Sequence, residues 1–391
     1  MLCVLAALLT AVLLWPPRAD VVQTVEQARL DAALSPADLP ISAEDTDVIL
    51  ALTCTLRRDR LEPYGADRPT TPFLRQLSNA GITFDSHIAQ AAWTRPSVGS
   101  ILTGRYPRVT RLDSTDGDAY AMVLSGAFTT MAESLQSAGY RTIGAVGNPN
   151  AKAQFGLAQG FDTYDEPTKT FSAGIRDRMP RGDDLVDFVL DEIRATPADQ
   201  RIFAQVIFVD SHQPVQYAPR HLMLFPRIWT DLQQYRLDAY DASVRGLDGI
   251  LARFFTEVRA LRPNSLFVQV ADHGEGLSHP TTAHKNGHGA TLYQSVIGIP
   301  HIVQHPALPA PGRRITETTR NIDVLPSILD LLGIPVDWDL DGESYAAALT
   351  DPDHILEEQL AYTESFAYGS NIQGLINGRW HFIHDVHTGR R

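Results

Sequence analysis

The side chains best suited to chemistry lie in a few short clusters. Asp272-His273 sets a carboxylate beside an imidazole, a donor pair that suits zinc, manganese or calcium. Asp210-Ser211-His212 offers the same two groups one residue apart. Either cluster is also compatible with a polar turn, its Asp capping a helix and its His facing solvent. His284-Lys285-Asn286-Gly287-His288-Gly289 adds three cationic-capable side chains in a Gly-rich stretch, which taken alone reads as a surface loop. Thr53-Cys54 and Trp93-Thr94-Arg95-Pro96-Ser97 complete the set, the latter a loop ahead of residues 99–102, where a helix could start.

The elements that must hold these clusters follow from the apolar pattern. Short runs rich in branched residues recur at 48–52, 142–146, 203–209, 266–270 and 299–303, the signal of buried strands. Segments of helical period lie between them at 71–80, 127–138, 183–194, 235–261 and 321–332. Alternation of this kind predicts an α/β/α sandwich with a mixed, mostly parallel central sheet. The pair Asn377-Gly378, flanked by apolar alternation over 374–383, predicts a small C-terminal antiparallel hairpin region. In open α/β sheets ligands bind beyond the carboxyl ends of strands. Thr53-Cys54, Asp210-Ser211-His212 and Asp272-His273 each follow a predicted strand, so the reading brings them to one edge.

The chain has 391 residues, with 33 Lys+Arg against 46 Asp+Glu, a formal net charge of -13. This balance argues against nucleic acid as a partner, since that needs a basic footprint. It leaves room for a small anionic substrate, because local field and net charge are separate quantities. Cys3 and Cys54 are the only cysteines, which excludes a disulfide framework and a multi-cysteine zinc site. Residues 2–15 form an uncharged apolar run, shorter than the ~20 residues a membrane-spanning helix needs and of signal-peptide length. No basic residue precedes it and Trp15-Pro16-Pro17 is no small-residue cleavage site. The run is an export signal, the tail of a membrane anchor, or a buried N-terminal helix. Residues 1–18 are assigned to the signal or anchor, 19–46 to a helix and linker, 47–350 to a catalytic domain and 351–391 to a C-terminal subdomain. The first two readings place the chain outside the cytoplasm, periplasmic or secreted, with membrane association through this segment.

Together the clusters resemble the sulfatase branch of the alkaline phosphatase superfamily. The resemblance runs from about residue 47 to the C-terminus. It is carried by Thr53-Cys54-Thr55-Leu56-Arg57, Pro69-Thr70-Thr71-Pro72, Trp93-Thr94-Arg95-Pro96-Ser97 with Leu102-Thr103-Gly104, and Asp210-Ser211-His212-Gln213-Pro214. Asp272-His273-Gly274-Glu275, Gly287-His288-Gly289 and Ile322-Asp323-Val324-Leu325-Pro326-Ser327 continue it. The resemblance implies a metal-dependent hydrolase of sulfate or phosphate esters. It places Thr94 at the nucleophile position. Family members that hydrolyse sulfate esters carry Cys or Ser there, oxidised to formylglycine; threonine cannot follow that route. Phosphoethanolamine-transferase relatives use an unmodified Thr, and Thr94 is similar to that type. Asp272 and His273 match metal ligands, while His212 and His288 match groups that contact the transferred group and the leaving oxygen.

Three departures bear on activity. Cys54 stands where the family has its first metal-binding Asp, which favours zinc over calcium or manganese, with Cys54, Thr94, Asp272 and His273 as the ligand set. Val98 replaces an Arg common after the Pro-Ser pair, and Arg95 and Lys285 are the candidates to replace it in substrate binding. Ala290 and Ser295 replace polar residues near the second histidine. The tail at 387–391 resembles one that continues further in relatives, so the resemblance implies a shortened chain. The alternatives to an ester hydrolase are a phosphoethanolamine-type phosphotransferase and a degraded site with a binding or structural role.

Overall fold

A computed structural model describes residues 18–37, 39–113, 122–167, 180–225, 232–277, 287–366 and 371–389. The apolar run at 2–15 and Lys285 lie outside the described residues. The described strands, in chain order, are β1 (Asp47–Thr53), β2 (Ile82–Ile88), β3 (Arg141–Val146), β4 (Thr163–Asp165), β5 (Ile202–Phe208) and β6 (Ser265–Ala271). They continue with β7 (Gly298–Ile299), β8 (His301–Gln304), β9 (Arg314–Arg320), β10 (Ala361–Ser365), β11 (Ile372–Asn377) and β12 (Trp380–Asp385).

The first nine form one sheet in the order β4-β3-β5-β1-β6-β8-β2-β7, with β9 also paired to β2. Pairings β3/β4, β3/β5, β1/β5, β1/β6 and β2/β9 are parallel; β6/β8, β2/β8 and β2/β7 are antiparallel. The sheet is therefore mixed and mostly parallel, as the alternating pattern predicts. β1, β5 and β6 are buried along their whole length, which is why they are continuous apolar runs and not alternating ones. Helices Gly182–Ala195 and Leu232–Leu261 pack on the sheet through Leu185, Val189, Leu251, Phe254 and Phe255. Among the described residues no helix is long and apolar enough to cross a membrane.

Three local expectations change. The apolar run at 299–303 is two strands, β7 and β8, divided at Pro300, which has no N–H to give a ladder. The hairpin of β11 and β12 gains a third strand, β10, whose mixed sequence Ala-Tyr-Thr-Glu-Ser hides it from pattern reading. The cluster around Thr94 is no loop: Thr94 is the first residue of a fully buried helix, Thr94–Thr103, after an extended Trp93. Pro96 is tolerated in the first turn, where its missing N–H costs nothing, and Gly104 ends the helix at φ 65°.

The register aligns the strand ends. Thr53 pairs with Phe208 of β5 and with Ala271 of β6, and Val146 of β3 pairs with Ile207. Cys54, Asp272 and the 209–212 segment thus leave the sheet side by side. Asn148 follows β3 at the same edge.

Candidate active site

Five buried groups meet at that edge: Cys54, Thr94, Asn148, Asp272 and His273. Thr94 Oγ1 lies 3.5 Å from Cys54 Sγ and 3.3 Å from His273 Nε2, and accepts a hydrogen bond from Asn148 Nδ2 at 2.9 Å. The same amide donates to Cys54 Sγ at 3.2 Å. Ligand atoms of Cys54, Asp272 and His273 lie within 4.8 Å of one another. The Thr94 helix points its first turn at this cluster.

The supporting contacts explain the precision. Asp272 Oδ1 accepts the backbone N–H of His273 at 2.7 Å and of Thr55 at 3.2 Å. Thr55 reaches it from the left-handed region, at φ 60°. Ser211 Oγ donates to the Cys54 carbonyl at 2.7 Å. Ser97 Oγ donates to the Asp272 carbonyl, and Asn321 Nδ2 donates to Ser97 Oγ at 3.1 Å. The strand ends are in this way tied to each other and to the helix that carries Thr94.

Protonation states follow from the partners. His273 Nδ1 faces the Gly274 carbonyl at 2.8 Å, so that nitrogen carries the proton and Nε2 presents a lone pair to Thr94. Burial, and next the charge of His288, hold His273 far below the usual imidazole range. Asp272 is pushed up to about 6 by burial, against the pull of its two backbone N–H donors. Burial also pushes the Cys54 thiol well up, with the Asp272 charge adding to it. His288 Nδ1 lies 3.3 Å from both carboxylate oxygens of Glu275. Burial opposes charge on His288, yet the carboxylate wins and raises its pKa; by the same pairing Glu275 is lowered. His212, its ring 5.1 Å from that of His288, is lowered by burial and then by its neighbour's charge.

The residues fit a divalent ion on one concrete ground. Asp272 Oδ2 is buried and has no hydrogen-bond partner, 3.5 Å from the His273 Nε2 lone pair, with a thiol and a hydroxyl alongside. A buried carboxylate oxygen left bare is costly, and a cation at this point would satisfy it. Sulfur, nitrogen and oxygen donors mixed in this way suit a borderline metal better than an all-oxygen one.

Of the residues singled out from the sequence, Cys54, Thr94, Asp272 and His273 are brought into contact, and His288 and His212 extend the row of imidazoles. Arg95 is fully buried. Its guanidinium donates to the Met122 carbonyl at 3.1 Å and to Asn150 Oδ1 at 3.3 Å, and it sits 3.4 Å over the Phe155 ring. Val98 is core. Lys285 lies outside the described residues. Sequence reasoning missed Asn148, the pairing of Glu275 with His288, and Asn321. Asn148 was findable: it follows an apolar strand run just as Cys54 and Asp272 do.

Comparison with known proteins bears on the fold and the family. The sulfatase family model matches residues 46–334. Mouse iduronate 2-sulfatase is 36% identical over 119 residues, 30% of this chain and 21% of the relative, so the match spans about a fifth of that protein. A protein solved in complex with its substrate D-glucosamine-2-N,6-O-disulfate superposes with a TM-score of 0.70 at 17% identity, covering 87% of this chain and 89% of the other. The phosphonate monoester hydrolase of Agrobacterium radiobacter superposes with a TM-score of 0.66 at 15% identity, covering 88% and 90%. These two structures speak for the fold. With the family model spanning most of the chain, including the strand ends that carry Cys54, Asn148 and Asp272 and the helix that begins at Thr94, the protein belongs to the sulfatase family.

Proposed function

We propose that this protein is a metal-dependent hydrolase of sulfate or phosphate monoesters, with Thr94 as its nucleophile. The observation that carries the reading is the meeting of Thr94 Oγ1 with Cys54, Asp272 and His273 in one buried pocket. Cys54, Asp272, His273 and Thr94 would hold a divalent ion, zinc favoured by the thiol, which would supply Lewis acidity for the hydroxyl and the transferred anion. Held in this way, the Cys54 thiol and the Thr94 hydroxyl would serve as ligands in their deprotonated forms, their protons passing to solvent. Thr94 Oγ1 then forms a bond to sulfur or phosphorus while the ester bond to the leaving oxygen breaks. His288, kept protonated by Glu275, donates the proton that the leaving oxygen needs. Water cleaves the threonyl ester and frees Thr94. Positive charge on His288 also suits an anionic substrate.

Threonine cannot become formylglycine, which supports phosphoryl over sulfuryl chemistry. The sulfated sugar bound by one fold neighbour supports a sulfated saccharide as the alternative substrate. The apolar run at 2–15 supports an extracytoplasmic location. Thr94→Ala is expected to abolish turnover of aryl phosphate and aryl sulfate; undiminished rates would end the nucleophile assignment. A second reading, a binding domain without catalysis, is favoured by Cys54 in the place of a carboxylate. Metal analysis of the purified protein separates the two, since the enzyme retains about one tightly held ion per chain and the degraded site holds none.

A further inference from the structure

Asn148 is 1% exposed, and its amide is saturated. Oδ1 accepts the Asn150 backbone N–H at 2.8 Å, and Nδ2 donates to Thr94 Oγ1 and to Cys54 Sγ. A backbone N–H can only donate, so Asn150 settles which end of the amide is the oxygen. The two amide hydrogens then face two acceptors, one oxygen and one sulfur. Each acceptor turns a lone pair toward Asn148, and each therefore turns its own hydrogen elsewhere. Thr94 Oγ1 then faces His273 Nε2 at 3.3 Å, whose lone pair is free because Nδ1 donates to Gly274, and Cys54 Sγ at 3.5 Å. For Cys54 the remaining neighbour is Asp272, whose Oδ2 has no other partner. Arg95 buttresses the arrangement from behind, donating to Asn150 Oδ1 while stacked on Phe155.

We propose that Asn148 is a positioning residue that, by donating to both atoms, fixes Thr94 Oγ1 and Cys54 Sγ at the Asp272–His273 pocket and holds Oγ1 there as it becomes the attacking atom. The inference rests on Thr94 as nucleophile for its functional half; its geometric half stands on the amide contacts alone. An amide donor left on Oγ1 is stronger when that oxygen is negative, so its effect falls on the bond-making step and not on substrate binding.

The test combines side-chain amide NMR with kinetics. In 15N-labelled protein the two Nδ2 protons of Asn148 are expected to resist exchange. Thr94→Val is expected to shift one of them and Cys54→Ala the other. Asn148→Ala is expected to lower kcat on an aryl ester about 10- to 100-fold, the size of one hydrogen bond to a charged atom, with KM within about twofold and the protein still folded at assay temperature. Asn148→Ser, which keeps one donor, is expected to recover part of the loss. Freely exchanging amide protons, or protons indifferent to both substitutions, overturn the proposal whatever the activity. Retention of more than half of kcat in Asn148→Ala overturns it too. Turnover that survives Thr94→Ala is a different failure: it removes the nucleophile and leaves the amide signals to decide the geometry.

Discussion

His87 and His301 stack with ring centroids 4.4 Å apart at 36°, and so do His273 and His288. The two pairs differ in what surrounds them. His87 bonds Thr319 and Asn321, and His301 bonds the Gln269 carbonyl and the Tyr345 hydroxyl, all neutral partners. Burial therefore drives both rings neutral, His301 down to about 4 and His87 well below its ordinary value. In the other pair Glu275 keeps His288 charged while His273 stays neutral. A buried histidine is thus no sign of function by itself. The mark of the site is a buried carboxylate against one ring, and a bare carboxylate oxygen beside the other.

Glu275→Gln breaks the contrast most sharply. Without the carboxylate His288 behaves like His301 and goes neutral. Loss of a general acid costs about 10²- to 10⁴-fold in kcat. Because Glu275 raises the His288 pKa, its removal moves the alkaline limb of the kcat profile to lower pH. A rate and profile equal to wild type would show that His288 donates no proton. Cys54→Asp sharpens the comparison at the metal: a carboxylate in place of sulfur is expected to lower zinc affinity about tenfold or more and raise that for calcium, read by competition titration. Unchanged selectivity would place Cys54 outside the ligand set. The smallest effect on turnover belongs to the first pair. His301 has a depressed pKa, so its contribution to stability is complete above its ordinary value of 6.5 and is lost as pH falls toward about 4. His301→Gln is expected to flatten the fall in urea midpoint between pH 7 and pH 5 and to change kcat by less than about twofold. A midpoint that falls as steeply as in wild type would assign the acid sensitivity elsewhere.

What the sequence made legible follows the same line. β1, β3, β5 and β6 are buried on both faces, so their apolar runs stand out. β2 and β9 are half-polar, with Asp85 and Ser86 in one and Glu317 in the other partly exposed, and no pattern announces them. Cys54, Asp272 and His273 were legible as residue types at strand ends, and Thr94 only through the family resemblance of the segment 93–97, read as a loop and found at a helix start. Asn148 stands at a strand end too, two residues beyond β3, and the same signal could have found it; Asn321 could not be found that way, because an amide's role lies in two or three contacts from distant segments. Asn321 Oδ1 accepts from His87 Nε2 on one side and its Nδ2 donates to Ser97 and the Asp272 carbonyl on the other, joining the inert pair to the reactive one.

Thr55 carries a consequence of its own. A β-branched residue at φ 60° holds backbone energy of about 1–3 kcal/mol. Its N–H on Asp272, its hydroxyl on the Cys54 carbonyl and its own carbonyl under the Tyr240 hydroxyl offset that cost. The loop is a loaded spring whose catch is the bond network itself. A sequence that relaxed this turn would gain a sturdier protein and let the Asp272 carboxylate drift from its aim.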